Sequence, residues 1–90
     1  MVMKPWQWVK RSDTHWQLVD GRFKTRADVW INRNELVWHT YDARGVGGEN
    51  SAVETSRARP MASVLNQARD EAVAAIVRQG WAPGGWKVKW

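Results

Sequence analysis

The chain has 90 residues, no cysteine, eight tryptophans and a formal charge of +5. This length is read as one domain, residues 1–90, near the lower limit of what folds without staples, and the missing thiols exclude a disulfide framework or a four-thiolate zinc site. No apolar run approaches the roughly 20 residues of a membrane helix, and no apolar signal segment follows Met1, so a soluble, cytoplasmic protein is expected.

The cations are distributed rather than blocked. Nine of the 14 are Arg, the side chain suited to bidentate contact with phosphate or carboxylate. A pI near 10.3 suits a polyanion or an acidic protein surface, and folding must assemble any basic patch.

In chain order, Lys4-Pro5-Trp6-Gln7-Trp8-Val9-Lys10 alternates with period two and reads as an added strand, with Pro5 marking it as an edge or irregular one. Residues 14–19 form a strand, Asp20-Gly21 a two-residue hairpin turn, and residues 22–31 the next strand. Asn32-Arg33-Asn34-Glu35 turns the chain into a third strand over 36–41. If both turns hold two residues, Leu18 meets Phe23, Trp16 meets Thr25, Ile31 meets Leu36 and Val29 meets Trp38. One face then carries Trp16, Leu18, Phe23, Thr25, Ala27, Val29, Ile31, Leu36, Trp38 and Thr40 as core. The other carries His15, Gln17, Val19, Lys24, Arg26, Asp28, Trp30, Val37, His39 and Tyr41. A slip of one residue would exchange them.

Residues 42–59 read as a long glycine-rich loop, with a short edge strand possible over 52–55. Its glycines are not followed by the Gly-Lys-Ser/Thr of a phosphate loop, so a flexible hairpin tip is expected over 44–51 rather than a nucleotide cradle. From Pro60 to Gln79 the period becomes helical, with Met61, Val64, Leu65, Ala68, Ala72, Ala75 and Ile76 on one stripe. Pro60 suits the helix start and Gly80 the position just past its end. Residues 81–85 form a turn that returns Trp86-Lys87-Val88-Lys89-Trp90 as a further strand. The terminal Trp side chains either cap the ends of the core, cover part of the open face, or take a binding role.

The expected fold is α+β: an antiparallel sheet of three to four strands with one long helix packed on one face, and possible extra terminal strands. The order β-β-β-α resembles that of the plant AP2-type and phage integrase arm-binding DNA domains, over roughly residues 14–79 and in topology alone. The resemblance implies a sheet that faces DNA.

For catalysis the residues offer little. Asp28 falls opposite His39, but an exposed cross-strand Asp–His pair is an ordinary contact, and no Gly-x-Ser-x-Gly nucleophile motif occurs. No catalytic residue, metal ligand set or cofactor motif is assigned. The open face points to binding, with Lys24, Arg26 and Trp30 at its centre and Tyr41, Gln17, His15 and His39 around them. Cations locate phosphates, Gln and Arg read base edges, and aromatic rings stack. The expectation is a non-enzymatic binding module for nucleic acid, DNA favoured. Two rivals use the same residue types. One is a small inhibitor or adaptor docking on an acidic protein surface, of the kind phages and mobile elements encode. The other is a homodimer that buries its Trp-bearing segments.

Overall fold

The computed structural model describes residues 5–82 and 86–90. Its elements are β1 (Trp6–Ser12), β2 (His15–Val19), β3 (Thr25–Asn32), β4 (Glu35–Tyr41), β5 (Gly47–Glu54), α1 (Met61–Arg78) and β6 (Val88–Lys89). They form one sheet of six strands in the order β5-β4-β3-β2-β1-β6, antiparallel except for the parallel β1–β6 pair. The architecture is α+β with a single helix on the sheet, as expected, but the sheet is mixed and larger than three to four strands. The terminal segments supply β1 and β6, so the strand order also extends beyond β-β-β-α. The turn expected over 81–85 lies partly outside the described residues, as does Lys4.

The second hairpin follows its expected register, with Ile31 opposite Leu36 and Val29 opposite Trp38. Its turn places Arg33 at φ 56°. The first hairpin does not. Leu18 pairs with Ala27 and Trp16 with Val29, in place of Phe23 and Thr25. Both displacements are four residues, an even number, so the division into two faces survives from His15 to Leu18 and from Ala27 to Ile31, up to the bulge beside Arg26. The physical reason is a longer turn: Phe23 N–H donates to Asp20 O at 3.0 Å, and Asp20 N–H to Lys24 O at 3.0 Å. Residues 20–24 therefore all belong to the connection. Phe23, assigned to the core by the shorter turn, is 83% exposed, and Thr25 is only half-buried.

The glycine-rich segment is mostly strand. β5 starts at Gly47 and runs beside β4, leaving only residues 42–46 as a tip. A side chain at position 48 would force its neighbours to shift, since a Cβ would sit 2.7 Å from Thr40 Oγ1 and 2.8 Å from Gln79 Nε2. Through that gap Gln79 donates to the buried Thr40 hydroxyl at 2.8 Å, tying the end of α1 to β4.

Helix α1 follows the hydrophobic stripe from Val64 through Ala68, Ala72 and Ala75 to Ile76, all buried. Pro60 is its N-cap residue, and Gly80 at φ 75° ends it, its N–H donating to Val77 O at 3.0 Å. Met61 falls off the stripe and is exposed. The helix contacts β3, β4 and β5. Alanine on its inner face lets it approach closely, and Trp38 fills the space beneath it. Over β1 and β2 the large rings of Trp6, Trp8 and Trp16 complete the core. Each can remove about 150–250 Å² from water. The Trp-rich composition thus closes the side of the sheet that the helix leaves uncovered. Trp86 meets Trp6 edge-on at 4.5 Å and Trp90 stacks on Trp8 at 6.0 Å, so these rings extend the core side and do not cover the opposite face. Among the described residues no helix is long and apolar enough to cross a membrane.

Candidate functional site

The face of the sheet opposite α1 collects most of the expected site residues. His15 and Gln17 come from β2, Asp28 and Trp30 from β3, and His39 and Tyr41 from β4. Asp28 faces Gln17 on one side and His39 on the other in the strand register. Its carboxylate organises the group: Tyr41 Oη donates to Oδ2 at 2.6 Å, while His15 Nε2 and Gln17 Nε2 reach Oδ1 at 2.6 and 2.8 Å. His39 makes no bond to Asp28 and packs edge-on to Tyr41 at 4.8 Å.

The electrostatics follow from these bonds. Burial alone would raise the pKa of Asp28, but the hydrogen bonds from Tyr41, Gln17 and His15 outweigh it and hold the group below the ordinary carboxylate value. The reciprocal effect falls on Tyr41. Its bond to Asp28, with desolvation and the carboxylate charge adding, pushes the phenol up to about 12. The centre of this face is therefore a saturated cluster built on the Asp28 carboxylate. Arg11 borders it, donating to Gln17 Oε1 at 2.8 Å.

The two cations expected at that centre lie elsewhere. A bulge between Leu18 and Val19 leaves Arg26 opposite no residue of β2, and its guanidinium joins the tryptophans of the core side. It lies over the Trp6 and Trp81 rings at 5.7 and 5.0 Å and binds Asp20 Oδ2 through Nε at 3.0 Å and Nη2 at 2.9 Å. With a side chain only 14% exposed, Arg26 is a structural cation and does not stand on the open face. Lys24 is exposed but sits in the turn, one residue before β3 begins. Trp30 keeps its expected place and is half-buried between the rows of His15 and Val37.

Lys24 instead belongs to a second group at one end of the sheet. The β2–β3 and β4–β5 connections emerge there side by side: a Cβ on Gly45 would meet Lys24 Cε at 3.4 Å and Nζ at 3.5 Å. The first tip exposes Arg22, Phe23 and Lys24, and the second exposes Arg44 and Val46. The acids among them are turned inward. Asp20 Oδ1 accepts the N–H groups of Arg22 and Lys24 at 2.8 and 3.0 Å, and Asp42 Oδ1 those of Arg44 and Val46 at 2.9 and 3.0 Å. Among the described residues neither Arg22 nor Lys24 forms a salt bridge, whereas Arg44 Nη2 reaches Asp42 Oδ2 at 3.1 Å. The group is cationic with two apolar tips, Phe23 and Val46.

Arg22, Phe23 and Arg44 had no place among the expected site residues. A signal for them exists in the sequence: Asp20-Gly21-Arg22-Phe23-Lys24 and Asp42-Ala43-Arg44-Gly45-Val46 both start with Asp and carry Arg third. Asp favours the first position of a type I turn, so both segments can be read as the same five-residue connection.

A cavity of about 420 Å³ opens between α1 and β5. Four of its lining groups pair with one another, Trp38 Nε1 donating to Glu71 Oε1 at 3.2 Å and Arg78 to Glu49 Oε1 at 3.0 Å. Among the described residues no group of three His, Cys, Asp or Glu converges as metal ligands. Compared with protein-family models, curated proteins and solved structures, the chain matches none.

Proposed function

We propose that the chain is a non-enzymatic nucleic-acid-binding module, with DNA the favoured ligand, and that the paired hairpin tips form its main contact. The observation that carries this reading is the grouping of Arg22, Lys24 and Arg44 around Phe23, with both turn carboxylates engaged by backbone N–H groups. Arg22 and Lys24 form no salt bridge among the described residues, while Arg44 shares its charge with Asp42 at 3.1 Å. Exposed cations suit phosphates, and an exposed aromatic ring suits a base. Arg11, Trp30, His15, Gln17, His39 and Tyr41 lie on the open face of the sheet. His15, Gln17 and Tyr41 are engaged by Asp28 there, and Trp30 and His39 provide rings for a strand that extends beyond the tips.

The His15–Asp28 pair supports a positioning role more than catalysis. Asp28 accepts three side-chain bonds, and the one phenol in the cluster, Tyr41, is pushed up to about 12, which disfavours the phenolate a nucleophile would need. The test is the affinity for single-stranded DNA, duplex DNA and RNA of one sequence, measured against salt. Binding to at least one that weakens steeply with salt through counterion release is expected. Absence of binding to all three at low salt overturns the reading in favour of docking on a protein.

A further inference from the structure

The two connections at the cationic end are the same turn built twice. In each, the Asp backbone N–H donates to the fifth residue's carbonyl, the fourth residue's N–H donates to the Asp carbonyl, and Asp Oδ1 accepts the third and fifth N–H groups. In each, the fourth residue takes a left-handed conformation. At the second tip that residue is Gly45, φ 85°; at the first it is Phe23, φ 63°.

Glycine is the residue this position calls for, because a Cβ is penalised there and a bulky side chain is a genuine outlier. Gly21, two residues earlier, is not in a left-handed conformation. Phe23 gains nothing from packing that offsets its backbone strain, being 83% exposed. A strained and solvated aromatic ring, held by a saturated turn and flanked by Arg22 and Lys24, is a position set by something outside the fold.

We propose that Phe23 stacks on an unpaired base of single-stranded nucleic acid, with Arg22, Lys24 and Arg44 holding the phosphates on either side. This rests on the nucleic-acid reading and narrows it to single strands. A base inside a duplex offers no free face to a ring at a hairpin tip, whereas unstacked bases dock on aromatic side chains with little regard to sequence. The three cations supply the charge complementarity that selects a polyanion.

The test compares the parent chain with Phe23→Gly, Phe23→Asn and Phe23→Trp, using a labelled oligothymidine, a duplex of mixed sequence and vesicles containing anionic lipid. Gly and Asn both tolerate the left-handed backbone, and neither can stack. The parent is expected to prefer the single strand. Phe23→Gly and Phe23→Asn are expected to lose about 5- to 100-fold in affinity for it, with an unchanged or higher melting temperature, and Phe23→Trp to retain binding. If the parent binds oligothymidine and the Gly and Asn variants bind it equally, the stacking role is overturned while the nucleic-acid reading stands. If the parent binds no oligonucleotide, the nucleic-acid reading fails first. Phe23-dependent binding to vesicles alone overturns the proposal in favour of a membrane surface. A marked fall in melting temperature in both the Gly and Asn variants assigns Phe23 to the fold and also overturns it.

Discussion

Arg26 and Asp20 form a two-point ion pair, Nε and Nη2 both reaching Oδ2, in which the side chains are 14% and 8% exposed. The pair sits where the β2–β3 bulge, the Asp20 turn and the tilted Trp6–Trp81 pair meet. Burial tends to raise the Asp20 pKa, but the backbone bonds from Lys24 and Arg22 and the bond and charge of Arg26 together lower it.

Arg26→Ala is therefore expected to destabilise the fold by about 3 kcal/mol, since it strands a buried carboxylate and removes a cation from two Trp rings. Lys24→Ala, at an exposed turn position, is expected to stay within about 0.5 kcal/mol of the parent. Urea unfolding of the two variants distinguishes them. Equal stability would place Arg26 in solvent.

The lowered pKa values of Asp20 and Asp28 set the acid behaviour. Stability from a depressed carboxylate is complete above its unfolded value, near 3.8, and is lost as pH falls through the folded value. The parent is expected to lose stability below about pH 4, and Asp28→Asn to lose less over that range. Melting temperature against pH between 2 and 6 checks this.

Tyr41 is the chain's single tyrosine, so its phenolate absorbance reports one site. Its folded pKa of about 12 lies above the reference value of 10.0. Its contribution is accordingly complete below pH 10 and is lost as pH rises toward 12. In Asp28→Asn the phenol is expected to titrate closer to 10, because the acceptor charge is gone. A spectrophotometric titration that gives the same value for both proteins would remove Tyr41 from the Asp28 cluster.

Gly48→Ala is expected to cost about 1–3 kcal/mol, as the new methyl group meets Thr40 and Gln79 below 3.0 Å. A thermal melt checks it. Gly47→Ala, where the nearest side-chain atom is at 3.5 Å, serves as the control.

How far the sequence was legible depends on parity and on turn length. The helix stripe, the faces of β2 to β4 and the register of Val29 with Trp38 follow from local pattern, because two-residue periodicity survives any even shift. The terminal strands were legible as alternation in Trp6-Gln7-Trp8, but their partners were not, since parallel pairing with β6 depends on a distant segment. The Asp20-Gly21 pair misled because it matches the common two-residue hairpin turn. The chain uses Asp20 as a side-chain acceptor and puts Phe23, not Gly21, in the left-handed position. That one change moved Lys24 into a turn, and the bulge that follows took Arg26 to the core side. The cationic site shifted with them from the sheet centre to its end.

The salt dependence of oligothymidine affinity, in the parent and in a triple variant with Arg22→Ala, Lys24→Ala and Arg44→Ala, tests whether the paired hairpin tips contact nucleic acid. All three side chains are exposed, so the variant should fold with an unchanged melting temperature. At about 0.7 per phosphate contact on a single strand, its log–log slope should be shallower by about two, with weaker binding at low salt. A folded variant that binds with the parent's affinity and slope would contradict the assignment of these tips as the nucleic-acid contact.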